Sequence, residues 1–174
     1  MKFSLPASVL FLSVLFLAYP QAVFAGKKEA NQKIEALNHQ IKAAGEKGDL
    51  QAAIEAAEQV YDISKKEFGE QSLEYSKAMN NMANLYMYAN HAEDAERFYK
   101  QAIVIEADKK GSDSLDLAGS YYNLAMAYAM QKKYDEARKM LTKCHAIRAK
   151  NLGAENPETK KAQEALDQIW NQHE

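Results

Sequence analysis

The residues of this chain that could act as nucleophile, base or metal ligand include one cysteine and four histidines, but their spacing predicts neither a catalytic site nor a metal site. His145 directly follows Cys144, while His39, His91 and His173 lie far apart in the sequence. Neighbouring residues on a helix point about 100° apart, so Cys144 and His145 are not expected to form a nucleophile–base pair. There is no His-x-x-x-His or Cys-x-x-Cys spacing and no glycine-rich phosphate loop. We therefore expect no enzyme activity, no metal site and no cofactor.

The elements that carry these residues repeat along the chain. One segment, starting at residue 80, reads NNMANLYMYANHAEDAERFYKQAIVIE, and 42 residues later a second reads YNLAMAYAMQKKYDEARKMLTKCHAIR. The same period leads back to a more divergent copy and forward from Tyr128 to Trp170. Self-similarity at such a period is typical of repeat proteins in which each unit buries its apolar face against the next.

Each copy contains two helical patterns separated by a short polar turn. In the second copy, Met79, Met82, Ala83 and Tyr86 recur at the spacing of one helix face, and a second such face begins at Ala95. The third copy repeats both faces, and Cys144 takes the position that alanine and valine have in the other copies. The sequence thus predicts an all-α fold in which Cys144 is a packed core residue.

The turn between the two helices carries Gly48, Asn90 and Lys132 at equivalent positions. A helix commonly ends in a left-handed residue, which glycine adopts freely and asparagine tolerates. Lys132 is expected either to destabilise the fold by about 1 kcal/mol in that conformation or to lie in a different turn.

These residues resemble the tetratricopeptide repeat family, in the longer form found in kinesin light chains. The resemblance is in the helix pair YNLAMAYAMQKKYDEARKML and the extended link LGAENPET. It implies an α-solenoid of about three helix-turn-helix repeats at 33–74, 75–116 and 117–158, within a domain at 33–172. A short segment at 26–32 precedes the repeats, and a capping helix at 160–172 ends the stack, where Leu166, Ile169 and Trp170 cover the last repeat.

In the resembled family, the first helices of the repeats line a concave groove that holds peptide segments of partner proteins. Helical periodicity gives the stripe opposite each buried face. The candidate groove residues are Lys42, Lys77, Asn80, Asn81, Asn84, Met87, Tyr88, Tyr122, Asn123, Met126 and Met130.

This predicted groove changes along the stack, from charged in the first copy through amide-rich and aromatic in the second to apolar in the third. An alternative is that Met126 and Met130 meet the final helix and bind nothing. Some family members grip a free carboxylate with basic residues; the third copy has Gly119 and Asn123 at those positions, so we do not predict that clamp.

The N-terminal segment has the layout of a secretory signal peptide. Lys2 precedes an apolar run at residues 9–18, Pro20 is expected to interrupt any helix, and Val23 and Ala25 provide short side chains for cleavage after residue 25. The run is about half of what a membrane span needs. We expect residues 1–25 to be removed and the protein to be periplasmic or secreted, with no membrane span remaining.

Composition narrows the kind of partner. The formal net charge is −2 and no basic block occurs, so a nucleic acid is not expected. The leading hypothesis is an exported, non-enzymatic module that binds a peptide segment of an unidentified protein. The alternative is a structural subunit of an envelope or secretion assembly that docks through the solenoid edges or self-associates.

Overall fold

The computed structural model describes residues 7–171, with side chains from residue 24 onward. The described residues form α1 (Ala7–Lys47), α2 (Leu50–Phe68), α3 (Leu73–Tyr88), α4 (Ala92–Lys110), α5 (Leu115–Met130), α6 (Tyr134–Leu152) and α7 (Pro157–Asn171). No strand occurs among them. The all-α prediction is therefore confirmed.

The helices form a solenoid of antiparallel pairs. Helices α1 and α2, α3 and α4, and α5 and α6 make three helix-turn-helix units, and α7 follows as the first helix of a fourth. Each helix packs mainly on its neighbours in chain order, and α3 also contacts α5. Stacking is what buries the apolar face of each pair, because one hairpin has too little core of its own.

Fully buried small side chains occur on both helices of a pair. Ala83 on α3 and Ala95 on α4 are both fully buried, and so are Ala125 on α5 and Ala137 on α6. Large residues such as Tyr99 and Leu141 surround these alanines in one core cluster. Cys144 is also fully buried, which confirms its predicted place in the core.

The turns inside the pairs have the expected left-handed residue. The φ angles are 71° at Gly48, 62° at Asn90 and 59° at Lys132. After Lys132, the backbone N–H of Lys133 donates to Tyr128 O at 2.9 Å, as His91 does to Tyr86 O at 2.8 Å in the second pair. Lys132 therefore keeps the common turn, and its side chain does not change the helix ending.

Helix α1 differs from the sequence-based expectation near Pro20. It runs without a break from Ala7 to Lys47, so the prediction that Pro20 interrupts any helix was wrong. A proline removes one i→i−4 hydrogen bond, but the residues on both sides stay helical here. The predicted segment at 26–32 also lies inside α1. No helix in the described part of the chain has the length and apolarity that a membrane span requires.

Helix α7 ends the described stack with a polar outer face. It begins at Pro157, where the Asn156 side chain accepts the N–H of Glu158 at 2.9 Å. Ile169 is buried and Leu166 is half-buried, but Trp170 is 57% exposed and lies under the Arg138 guanidinium, 4.7 Å from its ring centroid. Trp170 thus covers less of the last repeat than its position predicts.

Candidate functional site

The first helices of the three pairs, α1, α3 and α5, are joined along one face by the side chains of four asparagines, Asn38, Asn81, Asn84 and Asn123. We call this face the groove. Asn81 Nδ2 donates to Asn38 Oδ1 at 3.3 Å, from α3 to α1. Asn123 Nδ2 donates to Asn84 Oδ1 at 3.5 Å, from α5 to α3. Asn81 and Asn123 are 42 residues apart, so the repeat itself gives the amide row its spacing.

A cleft of about 730 Å³ opens on the groove between the first and second pairs. Its walls combine apolar side chains of the core edge with amides, one lysine and one tyrosine. Tyr88 at its rim is 82% exposed. The lining residues are Asn38, Ile41, Lys42, Gly45, Gly48, Leu50, Ala53, Asn81, Asn84, Leu85 and Tyr88.

Asn84 is held in place by the core behind it. The buried Tyr99 hydroxyl on α4 donates to Asn84 Oδ1 at 2.5 Å. Burial raises the pKa of Tyr99, so its hydroxyl keeps its proton at neutral pH and stays a donor. The side chain of Asn84 is thereby oriented, while its Nδ2 makes no hydrogen bond with any described residue.

A second, smaller cleft of about 310 Å³ lies between α3 and α5. Lys77, Asn80, Asn81 and Asn123 all line it. Lys77 is exposed, whereas Asn80 is half-buried and Nδ2 of Asn80 donates to Glu106 Oε1 at 2.8 Å. Asn80 therefore makes a hydrogen bond within the fold, whereas the sequence predicts it only as a groove residue.

Glu106 is a buried carboxylate that sequence reasoning missed. It is 3% exposed and accepts the Ser120 hydroxyl at 2.7 Å, so that α4 is bonded to α5. Burial raises the pKa of Glu106, against the opposing effect of the bonds from Ser120 and Asn80. A signal existed, because the 42-residue period aligns Glu106 with Ser64 and Arg148, which are also polar and buried.

The other four candidate groove residues line neither of these two clefts. Met87, Tyr122 and Met126 are half-buried and pack against a core cluster that includes residues of α7, while Met130 is 44% exposed. Tyr122 also lies 5.3 Å from the Arg148 guanidinium carbon and 5.2 Å from Lys161 Nζ, measured to its ring centroid. The open part of the groove is thus formed mainly by the first and second pairs.

The described residues offer little for covalent or metal chemistry. Burial raises the pKa of Cys144, although Arg148 acts to lower it, so its thiol is a poor nucleophile at neutral pH. No group of three or more His, Cys, Asp or Glu residues in the described part of the chain is arranged to hold a metal ion. What the groove offers is hydrogen-bonding amides beside an apolar cleft.

Two sequence models described as tetratricopeptide repeat match residues 33–105 and 117–158, together about two thirds of the chain. The chain belongs to the tetratricopeptide repeat family. The matches include the asparagines of the groove and all four helices α3 to α6 in whole or in large part. No curated protein sequence matches this tetratricopeptide repeat chain significantly.

Solved structures show where the fold of this tetratricopeptide repeat chain recurs. A kinesin-light-chain-like protein from P. anserina has 24% identity and a TM-score of 0.75, over 80% of this chain and 66% of that one. BtubC from P. vanneervenii has 22% identity and a TM-score of 0.75, over 88% and 63%. The TPR2B domain of yeast Sti1, solved in complex with pHsp70, has 17% identity and a TM-score of 0.62, over 81% and 98%.

These likenesses establish the solenoid fold and leave function to the site itself. The chain spans just under two thirds of the length of the first two proteins. The similarity of fold to a kinesin-light-chain-like protein supports the longer repeat form that the sequence predicts.

Proposed function

We propose that this protein is an exported adaptor that binds an extended segment of a partner polypeptide in its groove. The observation that carries the proposal is a set of four amide atoms without partners among the described residues: Asn38 Nδ2, Asn81 Oδ1, Asn84 Nδ2 and Asn123 Oδ1. Two are donors and two are acceptors, which matches the alternating N–H and C=O groups of an extended backbone.

The surroundings of these amides support the same function. Tyr88 offers a large, exposed, amphipathic ring beside the cleft, a residue type enriched in binding surfaces. The Sti1 domain of similar fold was solved with a bound partner. Export rests on the N-terminal segment alone, and the partner is expected in the periplasm or outside the cell.

The test is capture of partners by the immobilised protein from an envelope extract of the source organism. Lys42→Ala combined with Tyr88→Ala is the test variant, because both side chains are exposed on the groove. Asn84→Ala is unsuitable, since it would leave the buried Tyr99 hydroxyl without its acceptor. Val104→Ala is the control, at a 67% exposed residue of α4 outside the groove.

We expect the double variant to lose at least nine tenths of the captured partners, while the control keeps them and both retain the wild-type melting temperature. Partners that stay bound to the double variant but are lost with Trp170→Ala would instead support docking through the solenoid end.

A further inference from the structure

The first pair differs from the others at one position of the groove. Helix α1 carries Gly45 where α3 carries Met87 and α5 carries Ala129, each 42 residues further on. Met87 is half-buried and packs against the core cluster. A Cβ added at Gly45 would meet nothing within 4 Å. Space that a side chain occupies in the second pair is therefore open in the first, and it forms part of the 730 Å³ cleft.

The floor of this cleft is apolar. Ile41, Leu50, Ala53 and Leu85 line it and belong to, or pack against, one core cluster of the first two pairs. Ala53 is 1% exposed and Leu85 is 8% exposed, so the floor is the edge of the core itself. An open apolar cleft of this kind favours a bound apolar side chain, because binding removes the apolar surface of both from water.

The rim of the same cleft is polar. Asn38, Asn81 and Asn84 stand on it, with the unpaired amide atoms described above. A helix supplied by a second copy would have its backbone groups already bonded internally and would leave these amides unmatched. An extended strand with one side chain directed into the floor satisfies both parts of the cleft.

We infer that the cleft at Gly45 is a specificity pocket for one large apolar side chain of the bound segment, of the size of methionine, leucine or phenylalanine. The inference rests on the proposed peptide-binding function and adds what the peptide must contain. Met87 supports the size, because the protein itself places a methionine at the equivalent position of the next pair. The pocket sits at the first-pair end of the groove, so it also fixes the register of the segment.

The chain offers a matched pair of substitutions for the test. Gly45→Met installs the residue of α3 and fills the pocket, whereas Gly45→Ala installs the residue of α5 and leaves most of it open. Both replace a helical glycine whose φ is not in the left-handed region. Either side chain has a higher helix propensity than glycine, so neither variant is expected to melt below the wild type.

The probe is a display library of random twelve-residue peptides, selected on the purified wild-type chain. We expect the enriched peptides to share one large apolar residue at a fixed place. In fluorescence polarisation with the tightest peptide, Gly45→Met should weaken binding at least tenfold and Gly45→Ala less than twofold. Changing the shared apolar residue to alanine should weaken binding to the wild type at least tenfold and to Gly45→Met less than twofold.

The outcomes separate this inference from the groove proposal. Peptides that lose binding with Lys42→Ala/Tyr88→Ala but bind Gly45→Met normally would overturn the pocket and leave the groove. Peptides insensitive to both sets of changes would overturn the groove as well. A concentration-dependent mass of the wild type that Gly45→Met abolishes would assign the cleft to a second copy and overturn the pocket inference.

Discussion

The Ser120 hydroxyl donates to Glu106 Oε2 at 2.7 Å across the interface between the second and third helix pairs. Asn80 Nδ2 donates both to the other carboxylate oxygen, at 2.8 Å, and to Ser120 Oγ, at 2.9 Å. Three residues from α3, α4 and α5 thus form one buried network, while Asn80 Oδ1 stays buried without a partner. Such a network links neighbouring repeats at the expense of desolvating a carboxylate.

Glu106→Gln should stay within about 1 kcal/mol of the wild-type stability at pH 7, because the amide preserves the shape and removes the buried charge, while its NH2 group replaces one of the two accepting oxygens. The raised pKa of Glu106 means that the folded state binds this proton more tightly than the unfolded chain. Its contribution to stability is therefore full below the ordinary carboxyl pKa and is lost as pH rises through the raised value. In urea unfolding of both proteins from pH 4 to 8, the unfolding free energy of the wild type should fall relative to that of Glu106→Gln as pH rises.

Glu106→Ala is the matching control. It leaves Ser120 and Asn80 without their acceptor, and we expect a loss of about 2–3 kcal/mol at pH 7. Equal stability of the wild type and Glu106→Ala would show that the network contributes nothing to the interface.

Glu96 predicts the opposite pH dependence. Partial burial raises its pKa, but hydrogen bonds from Lys100, Lys133 and Gln131 outweigh that and lower the pKa of Glu96 to about 2. The carboxylate accepts Gln131 Nε2 and Lys133 Nζ, each at 2.9 Å, and so ties α4 to the turn after α5. The stabilisation is present above the ordinary carboxyl pKa and is lost as pH falls toward 2.

We therefore expect Glu96→Gln to be less stable than the wild type at pH 6 and nearly equal to it at pH 2. Urea or thermal unfolding over that pH range measures the difference. Glu93→Gln, at an exposed residue of the same helix, is the control and should show no such trend. A gap between wild type and Glu96→Gln that stays constant from pH 6 to 2 would contradict the assignment.

The period and the apolar pattern predicted the helix pairs, the buried alanines and the core position of Cys144, because backbone periodicity and side-chain size are local properties. The Glu106 network and the bond from Tyr99 to Asn84 could not be found that way. Glu106 and Ser120 are 14 residues apart and meet only when the second and third pairs stack. Tyr99 and Asn84 are 15 residues apart and meet only when α3 and α4 pack against each other. Likewise, Tyr122 belongs to the predicted stripe, but the basic residues of α6 and α7 that cover its ring lie beyond the reach of a single-helix pattern.

Lys132→Gly should stabilise the protein by about 1 kcal/mol. Lys132 has φ 59°, a left-handed conformation that costs a side chain with a Cβ roughly 1–2 kcal/mol, offset in part by the greater unfolded-state entropy of glycine. The melting temperature should rise by about 2–4 °C. Asn90→Gly, at φ 62° in the equivalent turn, is the control with a smaller expected gain, because asparagine tolerates this conformation. A lower melting temperature for Lys132→Gly would mean that the lysine side chain makes a compensating contact.

Cleavage after Ala25 should leave the stability of the solenoid unchanged. Phe24 is 76% exposed, and Lys27 lies 5.8 Å from the Phe68 ring centroid at the end of α2. Ala30 is the first buried residue on α1 among those whose side chains are described. Phe24 and Ala25 are both exposed, so we expect removal of residues 1–25 to change the unfolding free energy of the solenoid by less than about 0.5 kcal/mol. Thermal unfolding of the long and short forms measures this.

The signal peptide predicted at residues 1–25 gives a direct test of the proposed export. Intact-mass measurement of protein recovered from the periplasm or medium should give a chain that begins at Gly26. Ala25→Arg places a large charged side chain where the peptidase needs a small one, so this variant should remain as the uncleaved, cell-associated precursor. Recovery of wild-type protein only inside the cell with residues 1–25 attached would overturn export. An N-terminus inside 31–47 would place cleavage within the packed part of α1 and contradict the boundary.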